Sequence, residues 1–448
     1  MASMQGQSDY VLRTVEERGI QFIQLWFTDV LGTPKAFNIT PAELDNALEE
    51  GMTFDGSAID GFSRFQEADV LAKPDPSTFQ LLPLHPKGEL VARMFCDIVH
   101  LDGTPFDGCP RAALRRVVGS ALDQGFTFFA SPELEYFYFA DLTGDGPPMP
   151  LDTGSYFDLA VADLPTELRR RSVLTLEEMG IPVEHAQHED APSQHEIDLR
   201  YTDALTMADT VMTTRLVVKE VARQAGVAAS FMPKPLSNVQ GSGMHTHFSL
   251  WREGANAFAD PSSADGLSEI ARGFIAGLLT HAREITAVTN QWINSYKRLQ
   301  PGHEAPTLVS WARANYRSAL IRVPVPKAGR IDSTRIEYRS PDPAANPYLA
   351  FAVILAAGMA GVTGGYELPL PAGEDLFTLE PRELSRRGIP PLPANLSDAV
   401  DVMEESDLVR SALGEHLFEW FIRNKREEWS AYKTEVTSFE LGRYLPRL

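Results

Sequence analysis

Apolar and polar positions change period along this chain, and each change predicts an element. Residues 9–18 read as a short helix. Residues 20–28, Ile-Gln-Phe-Ile-Gln-Leu-Trp-Phe-Thr, alternate imperfectly, which is the two-residue period of a half-buried strand. Asp29-Val-Leu-Gly32 supplies a turn and Lys35 to Ile39 a returning strand. Thr40-Pro41-Ala42-Glu43 has the form of a capping box with proline at the first helical position, so a helix is expected there. Val91 to Ile98 is another strand, and the first hundred residues form a small α+β unit. Turn-rich text at Asp102-Gly-Thr-Pro105 and Gly108-Cys-Pro110 marks a boundary, giving domains 1–104 and 105–448.

Beyond that boundary, helices are expected at roughly 110–124, 162–179, 203–225, 266–289, 346–361 and 396–426, separated by short strands studded with polar residues. Residues 363–395 are rich in Pro, Gly and Glu and read as a surface excursion. The most apolar stretch, Tyr348 to Val362, is 15 residues long. That is short of the ~18 needed to span a bilayer, so a buried helix is expected.

Composition narrows the partners. The 448 residues carry 40 basic and 61 acidic side chains, a net charge of −21, which argues against nucleic acid or an anionic membrane as the main partner. Cys96 and Cys109 are the only cysteines, with no CxxC pattern, and Met1 to Asp9 has neither the n-region nor the h-region of a signal peptide. A reducing cytoplasm is therefore expected.

The chemistry lies in the polar-studded strands. Glu133 and Glu135 stand two apart in Ser131-Pro-Glu-Leu-Glu-Tyr-Phe137, so on a strand they share a face, where two carboxylates repel. Phe137, Tyr138 and Phe139 follow and place that strand in a core. Gln187 to Glu196 holds two more glutamates, Glu189 and Glu196, seven apart. His245, His247 and Ser249 alternate along Gly241 to Ser249, and Arg335, Glu337 and Arg339 alternate around Ile336 and Tyr338. Each pattern alone is common on a solvated strand. Four of them among apolar or Gly/Pro residues suggest one cavity with five carboxylates, a histidine and several arginines. Such oxygen-rich ligation with one imidazole suits Mg²⁺ or Mn²⁺ better than zinc. Arginines beside it suggest phosphoryl transfer, since Arg binds phosphate bidentately. Neither a Walker A motif nor GxGxxG is present.

These segments, together with Phe54-Asp-Gly-Ser-Ala-Ile-Asp-Gly-Phe62, Phe231-Met-Pro-Lys-Pro235, Asn294-Ser-Tyr-Lys-Arg-Leu299, Pro301-Gly-His-Glu-Ala-Pro306 and Ser340-Pro-Asp-Pro-Ala-Ala-Asn-Pro-Tyr348, resemble the bacterial class I glutamine synthetase family over nearly the whole chain. The resemblance implies an N-terminal β-grasp domain and a C-terminal catalytic α/β domain. It implies a homo-oligomer, a dodecamer of two hexameric rings. It also implies ATP-dependent amide formation on the γ-carboxylate of L-glutamate through γ-glutamyl phosphate, with two Mg²⁺ (or Mn²⁺) ions per site.

By the same resemblance, Glu135, Glu189 and Glu196 would ligate one metal, and Glu133, His245 and Glu337 the other. Arg317 and Arg339 would neutralise the transferring phosphoryl group. Arg298, Gln240 and Gly241 would hold glutamate. Glu184, Tyr201, His247, Ser249, Arg322 and Arg335 would line the ATP site. Glu304 would sit on a flap over the acyl phosphate and accept a proton from the amine. Asp55 would reach in from a neighbouring subunit to bind ammonium.

The departures concern the amine and regulation. Ala58 stands where the family usually has a second Ser, His303 replaces the usual flap Tyr, and Gln240 stands where Asn is expected. Phe377 replaces the Tyr that some members adenylylate, and Arg64 matches a feedback-associated Arg of the shorter subgroup. Gln24 to Gly32 and Arg93 to Asp97 look like actinobacterial paralogues, some of which join glutamate to polyamines. Ala58 and His303 therefore favour a polyamine or other small amine as acceptor. Ammonia is the alternative, and a catalytically inactive scaffold is a third.

Overall fold

The computed structural model describes residues 4–59, 69–84, 89–142, 146, 148–159, 163–313 and 316–448; Arg64 lies outside them. Two sheets organise the chain. The first contains β1 (Phe22–Thr28), β2 (Pro34–Ile39), β3 (Met52–Asp55), β4 (Asp69–Pro74), β5 (Gln80–Leu81) and β6 (Val91–Val99), in the order β2-β1-β6-β4-β3 with β5 beside β6. β1 runs parallel to β6 and antiparallel to β2. The helix Met4–Arg18 precedes it and lends Val11 and Val15 to its core.

The second sheet contains β7 (Thr127–Phe139), β8 (Val183–His188), β9 (Gln194–Leu199), β10 (Thr202–Asp203), β11 (Ala228–Ser230), β12 (Met244–Arg252), β13 (Ala255–Asn256), β14 (Leu308–Ala312), β15 (Ala319–Arg322) and β16 (Ile336–Tyr338). Its order is β14-β15-β16-β12-β7-β9-β8. Long helices at Pro110–Asp123, Ala204–Gln224, Glu269–Thr289 and Pro347–Gly364 contribute to a core with Phe128, Phe248, Phe274 and Phe351 at its centre.

The expected turn after β1 forms because Asp29 Oδ1 accepts from the amides of Leu31 (3.0 Å) and Thr33 (2.8 Å). Gly32 follows at φ +79°, and a Cβ there would come 2.9 Å from Asn346 Cα. Asn346 uses that proximity: its Nδ2 donates to the carbonyls of Asp29 and Val30, while its Oδ1 caps the next helix through the amides of Tyr348 and Leu349. One side chain thus starts the core helix and holds the first sheet against it.

Three expectations change. Thr40 makes no side-chain cap; Pro41–Glu43 is a 3₁₀ turn and the α-helix runs from Leu44 to Glu49. Residues 396–426 are three helices, Leu396–Glu404, Asp407–Leu413 and Glu415–Tyr432. The breaks fall at Ser406, whose side chain caps Val409, and at Gly414, at φ +84°. Finally, the apolar helix is 18 residues long, Pro347–Gly364, so length does not decide its place. Burial does, since it packs along Glu269–Thr289 as a core helix.

That packing depends on bare backbone. A Cβ on Gly361 would stand 2.0 Å from Gly273 O, and one on Gly277 2.2 Å from Ala357 O. Gly361→Ala is expected to destabilise the fold by about 3 kcal/mol, since backbone on the facing helix must move aside. Urea unfolding of the variant reads this directly, and an unchanged midpoint would refute it.

Candidate active site

β7 is the spine of the site. Directly opposed residues of neighbouring antiparallel strands lie on the same face of a sheet. Glu133 of β7 faces His245 of β12 on one side and Asp198 of β9 on the other. Glu135 faces Glu196, which in turn faces Gln187 of β8. His247 faces Glu337 of β16, and Glu337 faces Arg322 of β15. Six strands therefore bring carboxylates, imidazoles and an arginine to one surface. Ile336 and Tyr338 point the other way and are fully buried.

This surface floors a cavity of about 410 Å³. Glu133, His245 and Glu337 present ligand atoms that all lie within 4.8 Å of one another. His245 Nδ1 is 3.5 Å from Glu133 and 3.8 Å from Glu337. Arg335 Nε donates to His247 Nδ1 at 3.2 Å, which leaves the His247 proton on Nε2, and Nε2 donates to Glu133 Oε1 at 2.7 Å. Glu337 is held by Arg322 and, at 3.3 Å, by Arg339.

Glu135, Glu189 and Glu196 line the same cavity. Gln194 Nε2 and the Gly243 amide each donate to Glu135 Oε2 at 2.9 Å. Gln187 Nε2 lies between Glu189 (3.4 Å) and Glu196 (3.3 Å).

The electrostatics separate the two groups. Burial pulls the Glu133 carboxyl upward, but His247 and His245 outweigh it and hold it well below the usual carboxylate range. Burial and then repulsion from Glu189 push Glu135 well above that range, and burial with Asp198 does the same to Glu196. Burial also raises Glu189, and takes Asp198 to about 6. Carboxylates crowded until they resist ionising are suited to a divalent cation, which would reverse that resistance. The donor set of oxygens and one imidazole fits Mg²⁺ or Mn²⁺.

Loops complete the walls. Arg317, Arg322 and Arg339 line the same cavity beside the carboxylates they pair with. Glu304 Oε1 pairs with Arg317 Nη1 at 2.8 Å, and its amide donates to Gln240 Oε1 at 3.0 Å. Behind Glu304 lies a smaller pocket lined by Glu135, Gln240, Gly241, His245, Arg298 and His303, among others. Arg298 is buried there against the carbonyls of Ser340 (2.7 Å) and Arg339 (3.2 Å). A Cβ on Gly241 would meet Pro233 O at 2.3 Å, so only glycine lets the chain pass there.

Other predicted residues stand apart from both pockets. Glu184 is exposed on β8, and Tyr201 is 57% exposed, edge-on to Phe129. Ser249 Oγ accepts from Trp251 Nε1. Arg335 is exposed and reaches the cluster only through His247. Asp55 and Ala58 lie on β3 and the 3₁₀ turn after it, outside the lining of either pocket in this chain. Phe377 sits on a 3₁₀ turn, Leu376–Thr378, where Asp375 caps its amide.

The sequence reading missed Asp198, His185 and Gln187, which line the cavity, and Gln194 beneath it. Alternation could have found three of them: Asp198 stands two after Glu196, and His185 and Gln187 stand four and two before Glu189. It also missed Asp152, whose Oδ1 accepts from the Ser193 amide (2.7 Å) and lies 3.0 Å from His188 Nε2, stitching a distant loop to the β8–β9 turn.

The description "Glutamine synthetase, beta-Grasp domain" matches residues 19–101, and "Glutamine synthetase, catalytic domain" matches residues 107–444. The chain belongs to the glutamine synthetase family. Glutamine synthetase of Mycolicibacterium smegmatis is 54% identical over 99% of this chain and 100% of its own length. That of Mycobacterium tuberculosis is 52% identical over the same shares. Among solved structures, Plasmodium falciparum glutamine synthetase superposes with a TM-score of 0.88 at 25% identity, covering 98% of each chain. A GmaS/ADP complex superposes at 0.84 and 33% identity, covering 97% of this chain and 99% of the other. The protein is thus an ATP-dependent, C–N bond-forming ligase of this family, whose members use Mg²⁺ or Mn²⁺. The β-grasp and catalytic folds expected from the motifs are present.

Proposed function

We propose that this protein makes glutamine from L-glutamate, ammonia and ATP. The observation that carries the reading is the pair of joined pockets. A carboxylate-rich chamber edged by Arg317, Arg322 and Arg339 abuts a small pocket ending at Gly241 and Arg298, with Glu304 between them. The preference for ammonia over a polyamine rests on relatives more than half identical over their full length that are named glutamine synthetase.

In this reading ATP lies in the larger chamber with its γ-phosphate toward the arginines. Glu133, His245 and Glu337 would hold one Mg²⁺ or Mn²⁺, and Glu135, Glu189 and Glu196 a second. Bound there, such ions polarise phosphoryl oxygens and screen the negative charge that ATP adds to a carboxylate-lined site. Arg298 holds the amino acid. Arg317 and Arg339 offset the charge that develops as the γ-carboxylate takes the phosphoryl group. Glu304 shields the acyl phosphate from water and takes the proton that the attacking amine must lose. Asp55, with Ser57 beside it, binds ammonium from a neighbouring subunit in a dodecamer of two rings.

A second reading, a substituted amine as acceptor, is favoured by Ala58, which adds no hydroxyl, and by His303 in the pocket wall. Phosphate release with glutamate, ATP and each of ammonium, putrescine, spermidine, ethanolamine and methylamine separates the two. Ammonium is expected to support the highest kcat/KM. Turnover with an organic amine and none with ammonium would overturn the proposal.

A further inference from the structure

The β8–β9 hairpin has two working faces. Gln187 and Glu196 are directly opposed and line the cavity. The next pair, His188 and His195, is therefore turned to the back of the sheet. There the two rings pack 4.7 Å apart, both buried. Asp152 meets them from a loop 36 residues before His188. The proposed reaction uses none of the three.

Their ligand atoms lie within 4.8 Å of one another, but their protons leave no seat for a metal ion. Arg169 Nη1 lies 2.5 Å from His195 Nδ1. A guanidinium only donates, so Nδ1 accepts and the His195 proton sits on Nε2. His188 Nδ1 lies 2.7 Å from the Glu189 carbonyl, and its Nε2 3.0 Å from Asp152 Oδ1. A carbonyl and a carboxylate only accept, so both His188 nitrogens donate. The cluster is a clasp.

It clasps the turn that carries Glu189. Strand register fixes Glu135 and Glu196, whereas Glu189 lies past the last ladder pair, His188 with His195. The Glu189 amide donates to Gln194 O at 2.7 Å. Ser193, fully buried, closes the turn at φ +59°, a conformation uncommon for a residue with a Cβ. Asp152 Oδ1 accepts from the Ser193 amide at 2.7 Å. In return Ser193 Oγ accepts from the amides of Leu151 at 2.5 Å and Asp152 at 2.9 Å. Gly154 lets the loop come this close, since a Cβ there would stand 2.5 Å from His188 Nε2.

We infer that Asp152 is a positioning residue for one of the two metal sites: gripping His188 and Ser193 from behind the sheet, it sets where Glu189 stands against Glu135 and Glu196. The inference rests on the proposed assignment of those three glutamates to one ion. Crowded carboxylates repel, so a turn free to move would let the ligand set spread.

Wild type, Asp152→Ala and Asp152→Asn, all full length, are titrated with Mn²⁺, and free Mn²⁺ is read by electron paramagnetic resonance. Wild type is expected to hold both proposed ions. Asp152→Ala is expected to weaken one of them about 10- to 100-fold, the usual cost of losing a partner behind a metal ligand, and to leave the other unchanged. Asp152→Asn keeps an oxygen acceptor and is expected to fall between. Both sites undisturbed in Asp152→Ala, or both weakened equally, would overturn the positioning role. Amide exchange without metal is the second readout. The Glu189 N–H bonds to Gln194 and not to Asp152, yet it is expected to exchange faster in Asp152→Ala than in wild type. Unaltered protection there would also overturn the inference. Should Asp152→Ala not fold, Ser193→Gly gives the same two readouts, since it removes the hydroxyl and tolerates the backbone's φ. Wild type that fails to hold both ions strikes at the metal assignment instead, and exchange at Glu189 still judges the clasp.

Discussion

Glu337→Gln is expected to lower Mg²⁺-dependent, glutamate-dependent ATP turnover about 10²- to 10³-fold, the scale on which one preorganised charge-stabilising group acts in an active site. Glu337 is the point where three kinds of partner meet. It lies 3.8 Å from His245, pairs with Arg322, and accepts from Arg339 Nε at 3.3 Å. Its side chain is 3% exposed, so water does not replace what the substitution removes. The amide keeps the shape but loses the charge. Metal affinity falls because one anionic donor of the Glu133–His245–Glu337 cluster is gone. The arginines drift because their carboxylate no longer fixes them. Calorimetric titration with Mn²⁺ and steady-state phosphate release measure the two consequences separately. Full activity with unaltered Mn²⁺ affinity would remove this cluster from the mechanism.

Arg111→Met is expected to destabilise the protein by about 3 kcal/mol, because it leaves the buried Asp209 carboxylate without its cation. The Arg111 side chain is 4% exposed and reaches three aspartates. Its Nε and Nη2 grip Asp209 at 3.0 and 2.9 Å, Nη1 meets Asp97 at 2.8 Å, and Nη2 meets Asp75 at 2.9 Å. Asp75 and Asp97 belong to the first sheet and its turns, whereas Asp209 lies on the helix Ala204–Gln224 and also accepts from Tyr348 at 2.6 Å. The guanidinium thus joins the two sheets' supporting layers. Burial alone would raise the Asp75 carboxyl, yet Arg111, with Ser77 and Arg115, holds it below its ordinary value of 3.8. A carboxyl depressed in the folded state stabilises it above that value and loses the contribution as pH falls through the depressed value. Wild type should therefore lose stability as the pH drops below 4, and Arg111→Met should lose less over the same window. Chemical denaturation at pH 7 and in the acid range tests both statements. Equal stability of variant and wild type would refute them.

Much of the site was legible because alternation on a strand is a local rule. Glu133 and Glu135, His245 and His247, and Arg335, Glu337 and Arg339 announced shared faces from spacing alone, and Phe137 to Phe139 announced a buried strand. Helix ends were legible where a local signal carries them, as at Asn346-Pro347. They were not where competing chemistry won. Thr40 looked like a cap, but Pro41 begins a 3₁₀ turn instead. Ser406 and Gly414 broke a long apolar period into three helices.

The sequence by itself determined the chemical inventory and its pairing into faces: which carboxylates stand together on one strand, which residues are too apolar to leave the core, and which family the motifs resemble. Only the tertiary structure decided which strands meet. Register between β7 and β9, fixed by pairs far apart in the chain, set Asp198 opposite Glu133 and Glu196 opposite Glu135. Register of β12 against β16 and β7 drew His247 toward Glu337 and Glu133, whereas Tyr201 and Glu184 lie outside the cavity lining. Spacing along one strand follows from bond geometry, whereas register between strands is set by long-range packing of both faces at once. The distance from Gln240 to Glu304 is of that second kind.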